Sequence, residues 1–193
     1  MKRKVVQFFC LICFLHVSML EAKEIYIYRG QGVDNNLKEM PEDIITADLP
    51  YEKTYLMAVG GFFPLTKVFD TIDIGTTGVI VKHHGMQSHV EVDCAMSMRY
   101  KELLPHNDVI NANYAMGIGL SYAFATPVYE DTASNGKYYR FQAFLHFDVE
   151  IYTPYFSHVS FLARVHHRSG IYGLIAPRNV GSNFVAFGLA YHF

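Results

Sequence analysis

The sequence predicts an eight-stranded antiparallel transmembrane β-barrel that follows an N-terminal signal peptide. Three observations carry this reading. Apolar and polar residues alternate with period two along most of the chain, and the connections between the alternating segments fall into a short set and a long set. Beyond the first two dozen residues, no apolar run approaches the roughly 20 residues of a spanning helix. Composition agrees. A chain of 193 residues fits one domain, and an aromatic content of 15% excludes disorder. The net charge of −2 excludes a basic nucleic-acid binder, and 18% charged residues is low against the roughly 25% of soluble domains.

Residues 1–22 read as the signal peptide, leaving 23–193 as the barrel. Lys2, Arg3 and Lys4 form a basic head, Val5 to Val17 an apolar core broken by Gln7 and His16, and Ala22 a small residue before the cut. Removal takes three of 16 bases and one of 18 acids, leaving 13 and 17, a net −4. Cys10 and Cys13 leave with the leader, so Cys94 remains alone and no intrachain disulfide forms. Stability then has to come from burial and backbone pairing.

Eight strands follow in order, at roughly 24–30, 51–63, 69–82, 88–101, 109–125, 138–152, 158–168 and 183–193. In the fourth, Val90, Val92, Met96, Met98 and Tyr100 alternate with Glu91, Asp93, Ser97 and Arg99. In the fifth, Ile110, Tyr114, Met116, Ile118 and Leu120 alternate with Asn111, Asn113, Gly117, Gly119 and Ser121. The sixth sets Phe147, Val149 and Ile151 against His146, Asp148 and Glu150. The eighth keeps Val185, Phe187, Leu189, Tyr191 and the terminal Phe193 in one phase.

The connections at 64–68, 102–108 and 153–157 are short, whereas 31–50, 126–137 and 169–182 are long; 83–87 is short although it lies on the long side. A soluble lipocalin-like barrel shows the same alternation with the faces exchanged. Small polar-phase residues, long aromatic apolar faces and the terminal aromatic favour the membrane barrel.

The densest polar cluster lies at the end of the seventh strand. Counting by twos from Val159, His167 and Ser169 share the apolar, outward phase, while Arg164, His166 and Arg168 take the other. Asn183 shares the outward phase of the eighth strand, and an antiparallel hairpin brings it beside them. These are the parts of an acyl hydrolase: Ser169 as nucleophile, His167 as base and Asn183 to fix the imidazole. Two residues apart on a strand means about 7 Å at the backbone, so the hydroxyl and the ring meet only in favourable rotamers.

His167-Arg168-Ser169 on the penultimate strand, the Gly/Asn loop after it and the final Phe resemble the outer-membrane lipid A deacylases of the PagL type. That resemblance implies an eight-stranded barrel whose outward Ser and His cleave the 3-O-linked acyl chain of lipid A. It implies a role for Asn179, in Asn179-Val180-Gly181, at the oxyanion, with Gly170 beside the nucleophile. The family usually has Asn where Gly170 stands, and an acid about a dozen residues on; here no Asp or Glu follows Glu150. The implied partner is lipopolysaccharide in the outer leaflet of the bacterial outer membrane, with Arg168 and Arg178 meeting its phosphates. No cofactor or metal is expected, and a homodimer is left open. The alternative function is a non-catalytic structural or adhesive barrel on the same scaffold.

His83, His84, His89 and Glu91 gather around the third turn, in a spacing that matches no zinc motif. The favoured reading is an interior plug in which His89, Glu91, Asp93 and Arg99 pair with Arg140, His146, Asp148, Glu150 and Arg164. Such a plug leaves no open pore.

Overall fold

A computed structural model describes residues 22–104, 107–130, 138–177 and 180–193. The leader therefore lies almost wholly outside the described residues. Eight antiparallel strands close into a barrel: β1 (Glu24–Val33), β2 (Tyr51–Val68), β3 (Ile72–Gly85), β4 (Val90–Tyr100), β5 (Asn111–Ala123), β6 (Phe141–Tyr152), β7 (Val159–Ser169) and β8 (Gly181–His192). Each strand pairs with its sequence neighbours, and β1 closes on β8 from Glu24 opposite His192 to Val33 opposite Asn183. No edge is left open, which suits a strand structure in a medium without water. No helix among the described residues is long and apolar enough to cross a membrane.

The polarity is that of a barrel set in hydrocarbon. Along β4, Glu91, Asp93, Ala95, Ser97 and Arg99 are buried inside, while Met96, Met98 and Tyr100 are exposed outside. The outer wall continues through Ile27, Met57, Val59, Ile80, Ile118, Val149, Phe161, Phe187 and Leu189. A water-facing barrel would carry these charges outside, so the expected phase assignment holds and the soluble alternative does not.

The interior is a plug, as expected, although not a purely polar one. Arg164 donates two hydrogen bonds of 2.7 Å to Asp148 and lies over the rings of Tyr26 and Tyr28. His146 shares Asp148 at 3.0 Å. Arg99 bridges Glu24 and Glu150. Between these layers pack Tyr26, Tyr28, Leu56, Val79, Phe144, Leu162 and Phe184. Arg140 departs from the expectation: its side chain is exposed, and only its backbone carbonyl reaches the interior, accepting from Arg168 at 3.2 Å. Gly117 explains one small residue of the polar phase, since a Cβ there would collide with His146 Nε2 and Ser97 Oγ.

Strand ends differ from expectation by a few residues: β2 runs on through the expected turn at 64–68, which falls instead at 69–71, β1 and β3 reach Val33 and Gly85, and β4, β5 and β6 are shorter. Inside the first long loop lies a short helix not anticipated from the sequence, α1 (Met40–Thr46). Pro41 presets its first turn, and Ala47 ends it in the left-handed region at φ 56°. Met40, buried in full, anchors it to Val33 and Val185, with Leu37, Leu49 and Val165 around them. Val165 and Val185 belong to the outward phase, so this loop folds down over the outside of the wall.

Candidate functional site

β7 positions the site by alternation. Ser160, Leu162, Arg164, His166 and Arg168 point inward and are buried; His167 and Ser169 take the outward phase and are partly covered. The register sets His167 directly opposite Asn183 of β8. Their side chains meet, with His167 Nδ1 2.6 Å from Asn183 Oδ1. The tautomer follows from the other end of the amide. Asn183 Nδ2 donates to the backbone carbonyl of Asn35 at 2.6 Å, so Oδ1 is the atom that faces His167. Nδ1 therefore carries the proton and Nε2 keeps its lone pair, which is the state of a general base.

The chain of contacts extends further. Asn35 Nδ2 donates to Asp43 Oδ2 at 2.6 Å, from the first turn of α1. An acid thus stands behind the dyad although none follows Glu150 in the sequence. Asn35 and Asp43 escaped sequence reasoning. Their only signal is a polar run, Asp34-Asn35-Asn36, and nothing in it says that the loop packs beside β8.

Ser169 lies two residues beyond His167, opposite Ala143 on one side and Gly181 on the other. Among the described residues no hydrogen bond joins its Oγ to the His167 ring. Serine and histidine share one strand face at the loop end of the barrel, about 7 Å apart along the backbone. The loop beyond is tightly wound: Ile171 and Tyr172 have φ of 44° and 51°, and Tyr172 and Leu174 are exposed at its tip.

The remaining predicted residues fall differently. Gly170 is required by close packing, because a Cβ would run into the carbonyls of Ala176 and Pro177. Its N–H donates to Val180 O at 3.1 Å, so it closes the loop and is not offered to an oxyanion. Arg168 is corrected more strongly. It is 0% exposed inside the barrel, donating to Glu130 at 2.6 Å and lying 3.1 Å from Glu91, where no lipid phosphate reaches it. Arg178 and Asn179 lie outside the described residues.

Below the dyad the outer wall is grooved, between Tyr51, Tyr55, Phe161, Phe187 and Leu189, with Arg29 and Gln31 of β1 as its polar edge. Val185 lines the same groove and stands one outward position from Asn183. The surface is mainly apolar and open along its length, a shape and polarity that fit an extended acyl chain.

No protein-family model matches the chain, and no curated protein matches it. Among solved structures it is similar to the outer membrane enzyme PagL. The TM-score is 0.60 at 12% identity, over 88% of this chain and 99% of that one. A looser likeness, TM-score 0.35 at 7% identity, is to LpxR from Salmonella typhimurium, over 81% of this chain and 61% of that one. The first likeness establishes a shared eight-stranded barrel fold.

Proposed function

We propose that this chain is a bacterial outer-membrane ester hydrolase that removes an acyl chain from lipid A. Residues 1–22 direct export, and residues 23–193 insert as the barrel with the long loops at the outer leaflet. His167 Nε2 takes the proton of Ser169 Oγ as the oxygen attacks the ester carbonyl, and then returns it to the departing sugar hydroxyl. Water repeats the sequence on the acyl-enzyme and frees a fatty acid. Asn183 holds the imidazole, and Asn179 with Arg178 serves the oxyanion and the lipid phosphates.

The single observation that carries this reading is the His167–Asn183 hydrogen bond on the outer wall, in the tautomer that leaves a base beside Ser169. The pair sits on the outer wall beneath the first loop, where Asn183 joins the ring to the Asn35 carbonyl. The apolar groove beneath it and the barrel shared with an outer membrane enzyme support the same reading.

The second reading is a structural or adhesive barrel without activity. It is favoured by the separation of Ser169 from His167 and by a neutral amide where related sites have an acid. Mass spectrometry of lipid A from cells expressing the full chain separates the two. Loss of one acyl chain with the native protein, and its retention with Ser169→Ala, is the expected result. Unchanged lipid A with a folded native barrel in the outer membrane overturns the enzyme reading.

A further inference from the structure

The barrel holds a second group of reactive side chains at its loop end, inside the wall and apart from the outer dyad. His83 stands at the inward face of β3, His89 in the turn that follows and Glu91 at the start of β4. Their exposures are 0%, 3% and 0%. Glu91 Oε2 lies 3.3 Å from His83 Nε2 and 3.7 Å from His89 Nε2, and all three atoms fall within 4.8 Å of one another. None of the three atoms makes a well-aligned hydrogen bond, although Arg168 Nε stands 3.1 Å from Glu91 Oε2. Polar atoms that converge in one small buried space without aligned partners are costly, and a shared ligand would satisfy them.

We propose that His83, His89 and Glu91 form an interior site for one divalent transition-metal ion of the zinc class. Two imidazole nitrogens and a carboxylate oxygen are the usual protein donors of such an ion, with a fourth position left for water.

The surrounding groups orient these donors. His166 Nε2 donates to Glu91 Oε1 at 3.0 Å, and its Nδ1 accepts from the Tyr28 hydroxyl at 3.0 Å. Glu91 is thereby held with its other oxygen toward the two histidines. Gln87 Nε2 lies 3.2 Å from His83 Nδ1, and its Oε1 is buried without a partner. With the amide turned, Oε1 accepts from Nδ1–H and leaves the Nε2 lone pair to the metal, which is the usual outer-shell arrangement of a ligand histidine.

Charge favours a dication as well. Glu91, Asp93 and Glu130 surround this space, and Arg168 is the buried cation among the described residues there. When ionised they sum to −2 in an apolar shell, and a divalent ion brings the sum to zero. Arg168 Nε, 3.1 Å from Glu91 Oε2, competes for that oxygen, so the histidines must carry much of the affinity. The ion would bind the turn between β3 and β4 to the wall, a structural role independent of ester hydrolysis.

The test uses the full untagged chain, purified as a folded barrel in detergent and stripped with a chelator. Zn²⁺ is titrated in competition with a chromophoric chelator, and Co²⁺ is titrated while visible absorption is followed. The expected result is one equivalent bound, with the intense d–d bands of a four- or five-coordinate cobalt site. His89→Ala should weaken binding at least ~10-fold. His84→Ala, on the exposed neighbour of His83, should leave it unchanged. A folded native chain that takes up no stoichiometric zinc or cobalt overturns the proposal, whatever the variants do. So does undiminished binding by folded His89→Ala.

Discussion

His167 and Asn183 face each other across the β7–β8 pair, and the Asn183 amide joins the ring to a carbonyl of the first loop. An amide in this place orients an imidazole without adding charge to stabilise its protonated form. Asn183→Ala should therefore lower deacylation by roughly 10²-fold through loss of the correct tautomer and orientation. Turnover with a defined lipid A substrate in detergent checks this, with heat-modifiable gel mobility as the control for folding. Activity equal to native in a folded variant would separate Asn183 from catalysis.

Asp43 acts on the dyad only through Asn35, as a positioning residue. Asp43→Ala should release the Asn35 side chain and lower kcat by several-fold with little change in KM. Asp43→Asn keeps a carbonyl oxygen for Asn35 Nδ2 and should restore most of the rate. If the negative charge itself matters, Asp43→Asn will fail like the alanine variant, and the two rates tell these apart.

Inside the barrel, Asp148 receives Arg164 and His146 together. Asp148→Asn leaves a guanidinium poorly paired in a buried layer and should cost about 3–5 kcal/mol. The urea midpoint of the detergent-folded barrel reports the loss. Arg164→Met added to Asp148→Leu should recover part of it, because no charge then remains uncompensated.

Gly117→Val should also destabilise the barrel, by about 1–3 kcal/mol, since the new side chain must displace His146 or Ser97. The same urea measurement applies. Gly78, where a Cβ meets nothing within 4 Å, provides the comparison: Gly78→Ala should shift the midpoint far less.

Much of this architecture is legible in the sequence because a closed barrel in hydrocarbon obeys one local rule. Each residue on β4 faces in or out by parity alone, so Glu91 and Met96 declare their sides without knowledge of the rest. The same parity finds His167, Ser169 and Asn183 as polar exceptions on the outer face. What parity does not carry is what covers that face. Helix α1 spans seven residues, too few for a helical period to stand out, and its contact with β8 joins residues far apart in the chain. Asn35 and Asp43 were hidden for this reason. Arg168 shows a related gap. Its inward parity was evident, but its partner Glu130 sits in a loop turn whose path no alternation describes.

The seam between β1 and β8 has a consequence for when the site comes into existence. Asn183 belongs to the last strand, His167 to the one before it, and Asn35 to the loop just after the first, 148 positions before Asn183. A nascent or partly inserted chain whose ends have not met holds the serine and the histidine on one strand but lacks the clasp that sets the ring. Assembly itself thus acts as the safety catch on the proposed lipid-cleaving chemistry: the imidazole is fully clasped only once the final strand has met the first.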